Sequence, residues 1–387
     1  MSNLLSKASI LLTPTATSDG KLHNIKPNTT TGDFDFTRGT VATRINSNGV
    51  IESVASGLPR IDFTGGTGQV LLEPASTNAS KNSENTSSWT YIEFGSGSAG
   101  TITTGKTDMF GGTNAVQVDF PADAENVAIR FGQTTSSISS GTVTISIYAK
   151  LVQSGSKTLR FRAGSSQNLV VDSTEFVRYE ATVTKSSGEA FSLKLRPSQG
   201  TSNGGFSIIL CHPQEEAKSF ATSYIPTTGT DVTRNKDEAN SSGDTSLINS
   251  TEGVLYAEIQ PLANENVAKT ISLSNQSIQN TVEIFTQSNL IRFRIRSNDS
   301  VIFLQNVTVS DITQSFKVAL KYKSGDVEGF INGVKEVDRT DSFSFSDSLS
   351  ELAFDRGSNQ SQFEGRIKSV AVFKEALTDA QLISLTS

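Results

Sequence analysis

The stretch Thr142-Val143-Thr144-Ile145-Ser146-Ile147-Tyr148-Ala149 decides the fold class. Val143, Ile145, Ile147 and Ala149 recur with a period of two, which puts them on one face of an extended strand and predicts a half-buried sheet. The same signal spreads outward from it. Apolar or alternating runs occupy residues 116–120, 127–131, 159–163, 176–183, 191–195 and 206–210. Ser/Gly-rich turns separate them at intervals suited to a β-sandwich. No persuasive 3.6-residue period interrupts the series.

A second set of strand patterns follows at 253–259, 270–273, 281–286, 290–296, 301–307, 316–322, 327–331, 335–337, 351–354 and 365–373. Asn332-Gly333 lies inside it, and both central residues of a type I′ turn need positive φ, so the dipeptide predicts a tight hairpin. Asn48-Gly49, between Arg44-Ile45 and Val50-Ile51, predicts another. Near the end, Thr378 can cap a short helix, Gln381 completes a capping box, and Leu377 with Leu382 supplies the hydrophobic staple.

Composition agrees with thin β-layers. Of 387 residues, 19% are charged and 35% hydrophobic, both low for a globular chain. Ser and Thr make up about a quarter, with 30 Gly, and 22 Phe outnumber one Trp and six Tyr. A net charge of -6 without any Lys/Arg run argues against nucleic acid, which selects a basic footprint. No apolar stretch nears the roughly 20 residues of a membrane helix. The run Ile10-Leu11-Leu12 is too short for a signal-peptide core. Cys211 alone allows no intrachain disulfide, and His23 and His212 make no zinc cluster.

The expected class is all-β: two jelly-roll β-sandwiches in tandem behind a hairpin-rich N-terminal anchoring segment. Residues 1–78 form that segment, which is too poor in apolar residues to bury a core and must pack against a neighbouring domain or copies of itself. Residues 79–237 form the first sandwich. The polar, Ser/Gly-rich stretch around 238–250 reads as a linker, and 251–387 form the second sandwich.

Two resemblances sharpen this. The run Gln362-Phe363-Glu364-Gly365-Arg366-Ile367-Lys368-Ser369-Val370-Ala371-Val372-Phe373, followed by Ala376-Leu377-Thr378 and Gln381-Leu382, resembles the close of concanavalin A-like (laminin-G-like) jelly rolls. Phe330-Ile331-Asn332-Gly333-Val334 matches the hairpin that usually precedes it. The rest of the chain resembles bacteriophage virion proteins of tail-fibre or head-fibre type. The residues that carry this are 34–46 (FDFTRGTVATRIN), 49–52 (GVIE), 58–63 (LPRIDF), 71–78 (LLEPASTN), 82–84 (NSE), Trp89, 221–230 (ATSYIPTTGT) and 232–234 (VTR). Asn78-Ala79-Ser80 departs from the pattern, where an aliphatic pair often follows Asn. The resemblance implies a carbohydrate-binding-module-like jelly roll at 79–237, a place on the phage tail or capsid surface, contact with other virion proteins, and a homo-oligomer, commonly a trimer.

Candidate site residues follow. Trp89 is a sugar-stacking platform or a core plug. Arg292, Arg294 and Arg296 alternate with Ile291, Phe293 and Ile295, so one strand face carries three guanidinium groups, and Arg160 and Arg162 repeat the idea around Phe161. Such a strip suits sulfated or uronic-acid polysaccharide, or a solvated sheet face balanced by carboxylates. Asp299, Asp326 and Asp355, with Asp311 and Asn332, lie in turns where related jelly rolls often hold Ca2+; turn capping by Asp and Asn is the ordinary explanation for them. Adjacent Cys211 and His212 would point to opposite faces of a strand and make a poor nucleophilic pair. The expected function is therefore a non-enzymatic virion fibre protein presenting glycan-binding sandwiches for host-surface attachment. The alternatives are a purely structural capsid decoration or fibre-shaft protein, and a polysaccharide depolymerase.

Overall fold

The alternation at 142–149 becomes the strand Gly141–Leu151, with Val143, Ile145, Ile147 and Ala149 each exposed by 1% or less. The computed structural model describes residues 2–93, 98–122, 127–133, 135–163, 165–186, 194–197 and 204–387. They form two compact units. One comprises Met1–Val41, Val54–Pro74 and Lys236–Ser387, the other Ala42–Ser53 and Ala75–Asn235. The chain is all-β, built of antiparallel β-sandwich sheets.

The second-named unit holds two five-stranded sheets. One runs in the order Thr90–Glu93, Val127–Arg130, Lys194–Pro197, Lys157–Ala163, Ser165–Val171. The other runs Thr101–Lys106, Ala115–Phe120, Phe206–Glu216, Gly141–Leu151, Val177–Lys185. Their apolar faces share a core that includes Val116, Phe120, Ile129, Phe131, Ile145, Phe161 and Leu210. Gly141–Leu151 is not half-buried as its alternation predicts: Thr144, Ser146 and Tyr148 on its other face are buried too. Tyr148 packs there into a small second cluster with Ile51, Ala115, Cys211 and Tyr224. Of the strand expected at 191–195, residues 191–193 lie outside the described residues. The Asn48-Gly49 hairpin forms, with Gly49 at φ 76° and Asn46 N–H donating to Val50 O at 2.9 Å.

The first-named unit is a sandwich of an eight-stranded and a five-stranded sheet. The larger runs Val334–Arg339, Val327–Ile331, Phe316–Lys323, Glu252–Pro261, Gly365–Phe373, Gln69–Leu72, Arg60–Asp62, with Ile10–Leu12 also paired to Gly365–Phe373. The smaller runs Ser300–Thr308, Leu290–Ser297, Thr281–Thr286, Lys269–Ser274, Glu351–Ala353. Leu255, Leu320, Val370 and Val372 meet Ile271, Ile284, Ile291, Phe293 and Ile295 in the core. Asn332 (φ 47°) and Gly333 (φ 83°) both take the left-handed conformation that a type I′ hairpin requires.

Residues 1–78 are not a separate anchoring segment. Ile10 pairs with Val372 and Leu72 with Gly365, so these N-terminal strands complete the sheet of the C-terminal sandwich. That is where their sparse apolar residues find a core. The stretch 238–250 is likewise no linker. Glu238–Asn240 is a strand paired with Phe34–Thr37, and Ile248 sits in the core. Polar side chains hid a segment whose backbone is tied into the fold by the pairing at 238–240 and by the N–H groups of Ser242, Gly243 and Ile248.

The terminal helix Asp379–Thr386 carries the predicted capping box. Thr378 Oγ1 accepts from Gln381 N–H and Gln381 Oε1 accepts from Thr378 N–H at 2.9 Å, while Leu377 and Leu382 are buried together. Thr378→Ala is expected to cost about 1 kcal/mol, read as a lower urea midpoint with unchanged m-value.

Candidate functional site

Leu290–Ser297 alternates strictly between half-exposed and buried residues. Ile291, Phe293 and Ile295 enter the core, leaving Arg292, Arg294 and Arg296 on the outer face of the five-stranded sheet. The register with Thr281–Thr286 sets Arg292 beside Phe285, Arg294 beside Glu283 and Arg296 beside Thr281. Arg292 and Arg294 stack over the Phe285 ring, with their guanidinium carbons 5.0 and 4.5 Å from its centre.

Glu283 is the buried counter-charge. Its Oε2 accepts from Arg294 Nε at 2.8 Å and also from Arg294 Nη2, its Oε1 accepts from Thr281 Oγ1 at 2.5 Å, and Arg356 Nε stands 3.6 Å away. Arg292 donates to Asn306 Oδ1 at 2.6 Å and to Gln287 Oε1. Arg296 donates to the carbonyls of Ile278 at 2.7 Å and Asp299 at 2.9 Å. Burial, then the charge of Arg294, pulls the Arg292 guanidinium below its usual value. Burial likewise lowers Arg356, with Arg294 and Arg296 adding to it against the opposing pull of Glu283. Arg294 and Arg356 thus share one buried carboxylate, while Arg292 and Arg296 add their repulsion from beside it and Asp299 joins at the rim. An arriving anion would relieve that repulsion.

Trp89 does not share this face and cannot be a sugar platform. It is 4% exposed, packed edge-on against Phe131 at 4.8 Å, and its Nε1 donates to Asn82 O at 2.9 Å. A buried indole has no free ring face to offer.

The aspartates expected to hold Ca2+ are not brought together. Asp299 is exposed beside Arg296, and Asp326 accepts from Lys321 Nζ at 2.8 Å. Asp355 turns inward to cap its own loop, accepting the N–H of Gly357 at 2.5 Å and those of Ser358 and Asn359. Asp311 caps its own turn through Thr313 N–H. Among the described residues no three His, Cys, Asp or Glu groups converge on a metal-sized site. Turn capping engages Asp311 and Asp355, and a neighbouring cation engages Asp299 and Asp326.

Asp355 does border a cavity of about 200 Å3 with Asn240, Ser241, Gln276, Glu351 and Asn359. Ser241, Gln276 and Asn359 all hold left-handed backbone there, at φ 62°, 61° and 56°. Burial, then the nearby charge of Asp355, raises the Glu351 carboxyl against the pull of Ser241 N–H; burial also raises Asp355. A raised carboxyl binds more protons folded than unfolded. Its stabilising contribution is therefore complete below the ordinary carboxylate value and is lost as pH climbs through the raised one. Glu351→Gln should match or exceed the wild type in thermal midpoint at neutral pH and lose that advantage in acid. Parallel melting curves across that range would expose a reversed order.

Two buried networks escaped the sequence reading, although the stretches that carry the virion-protein resemblance supply most of their residues. In one, Arg38 Nη1 meets Asp237 Oδ1 at 3.0 Å, and Arg60 bridges Glu73 Oε2 at 2.7 Å and Asp237 Oδ2. Burial alone would favour a neutral Arg60, but Asp237 and Glu73 more than offset it and hold the guanidinium above its ordinary value. In the other unit, Ser83, Glu84, His212, Tyr224 and Thr227 interlock. Tyr224 Oη donates to Ser83 Oγ at 2.6 Å, and His212 Nδ1 lies 2.8 Å from Glu84 Oε1. Burial, then Glu84, pushes the Tyr224 hydroxyl far up.

One further constellation was missed. Ser18 Oγ lies 2.8 Å from His23 Nε2, and His23 Nδ1 lies 2.8 Å from Asp33 Oδ2. The connectivity is that of an acyl-transfer triad. However, the adjoining open cavity of about 640 Å3 is bordered by His23 and Asp33, whereas the exposed Ser18 is not among its lining residues.

No family model matches the chain, and no curated protein matches it. Among solved structures it is similar to the CBM40 of the Ruminococcus gnavus IT-sialidase bound to α2,3-sialyllactose, at 16% identity and TM-score 0.32, over 36% of this chain and 84% of that one. It is also similar to domain 4 of AbnA, a GH43 extracellular arabinanase from Geobacillus stearothermophilus in complex with arabinotriose, at 15% and 0.32, over 44% and 83%. The NanB sialidase from Streptococcus pneumoniae is similar at 15% and 0.32, over 37% and 25%. These likenesses are partial; the case for a ligand rests on the residues above.

Proposed function

We propose that the chain is a non-enzymatic glycan-binding protein of a bacteriophage virion fibre, and that the Arg292/Arg294/Arg296 face takes acidic polysaccharide of the host surface. The observation that carries the ligand class is the clustering of Arg292, Arg294, Arg296 and Arg356 beside Glu283, a buried carboxylate that pairs directly with only Arg294 and Arg356. The virion assignment draws on the resemblance of the stretches at 34–46, 58–63, 71–78 and 221–234. A homotrimer would present three such faces together, and tethering would turn individually weak sites into avid attachment.

The test is retention on immobilised heparin or alginate at low salt. The intact protein should be retained, and the double variant Arg292→Gln/Arg296→Gln should elute much earlier. A hydrogen bond to a charged group is worth about 1.5–3 kcal/mol, or roughly ten- to a hundredfold per lost contact. Arg294 is left in place because it holds Glu283. The same incubations should yield no new reducing ends. An intact protein that flows through overturns the reading in favour of a purely structural decoration protein, which the internal partners of each arginine would then fully explain.

A further inference from the structure

The other unit holds a second basic site, built differently. A cavity of about 390 Å3 opens beside the strands Thr90–Glu93 and Val127–Arg130, lined by Lys81, Asn82, Ser88, Thr90, Arg130 and Gln133. No carboxylate is among its described lining residues. Arg130 Nε is buried without a hydrogen-bond partner, and neither Arg130 nor Lys81 meets a carboxylate among the described residues. In a chain of net charge -6, two unneutralised cations in one polar cavity are an anomaly that a ligand would resolve.

The cavity is preformed. Trp89 and Phe131 plug the core from the two strand ends, so their neighbours Thr90 and Arg130, paired across the strands, face outward on a rigid base. The wall is tied by Lys81 N–H to Gln133 Oε1 at 2.6 Å, Gln133 Nε2 to Ala79 O at 2.8 Å, and Asn82 Nδ2 to Gly132 O at 2.9 Å. Gly132 adopts φ 72°, and a Cβ there would stand 2.1 Å from Ser88 Oγ, so only glycine lets the wall close.

We infer that this cavity binds a sugar residue bearing a carboxylate. The Arg130 fork grips the carboxylate in the bidentate manner guanidinium favours, Lys81 adds charge, and the Thr90 hydroxyl and Asn82 amide face the sugar hydroxyls, with Gln133 bracing the wall. The inference shares the ligand class of the arginine face but rests on its own residues, in the other unit.

Calorimetric or NMR titration of the full chain with glucuronic acid and N-acetylneuraminic acid, and with glucose as the uncharged control, tests it. At least one acid should bind saturably and glucose more than about tenfold more weakly. Arg130→Gln should weaken the acid about tenfold or more, Lys81→Gln by less, both with the wild-type melting temperature; Arg292→Gln/Arg296→Gln should leave it unchanged. Absence of saturable binding by either acid overturns the inference, as does binding that survives Arg130→Gln or vanishes in the Arg292/Arg296 variant. Heparin flow-through together with intact glucuronate binding would sink the arginine-face reading and leave this one standing.

Discussion

Asp237→Asn should cost the unit that contains it about 3–5 kcal/mol, the usual penalty for removing one partner of a buried ion pair. Asp237 has no exposed side-chain surface, and its carboxylate serves Arg38, Arg60 and the N–H of Glu73 at once. Asparagine keeps the shape and loses the charge. Glu73 would then face two buried guanidinium groups alone. Arg38 keeps its donations to the carbonyls of Thr40 at 2.9 Å and Ala55 at 2.6 Å, which fix its position but supply no charge. Urea unfolding should show the midpoint of that unit falling with unchanged slope. A shift below about 1 kcal/mol would mean that water reaches the cluster and screens it as it screens surface pairs.

Glu283→Gln should also destabilise by several kcal/mol, and the damage should be reversible. The substitution strips the counter-charge from Arg294 and Arg356 while keeping an acceptor for Thr281 Oγ1. The four guanidinium groups then repel one another with nothing buried to offset them. A polyanion that binds only the folded state restores stability by mass action, about 2.7 kcal/mol at a hundredfold excess over its dissociation constant. Heparin should therefore raise the melting temperature of the variant more than that of the wild type, and the folded variant should be retained to higher salt. An equal rise in both proteins, or weaker retention of the variant, would show that anions do not settle on this face.

What the sequence revealed was what short-range periodicity encodes. The alternation at 290–297 located the arginine face correctly, because a strand throws successive side chains to opposite sides whatever surrounds it. Glu283 was invisible as its partner, since that pairing depends on the register of the neighbouring strand. Asn332-Gly333 and Thr378 through Gln381 were legible because a turn and a cap are settled within four residues. Residues 1–78 were misread for the opposite reason. Leu11 pairs with Ala371 and Arg38 with Asp237, and no local pattern announces partners so remote. Trp89 was open to two readings until the fold placed Asn82 O within reach of its indole nitrogen. Asp355 looked like a cation ligand because loop composition cannot say whether a carboxylate points outward or caps its own amides.

The pairing of Ile10–Leu12 with Gly365–Phe373 sets the order of events during synthesis. Ser9 reaches Val372 across 363 residues, while every strand of the intervening unit has been synthesised by Asn235. That nested unit can reach its final form on the nascent chain, whereas the run Ile10–Leu12 must wait, unsheltered, for the strand Gly365–Phe373 to emerge. Translation speed and chaperone holding, more than intrinsic stability, should then govern how much of this protein matures correctly.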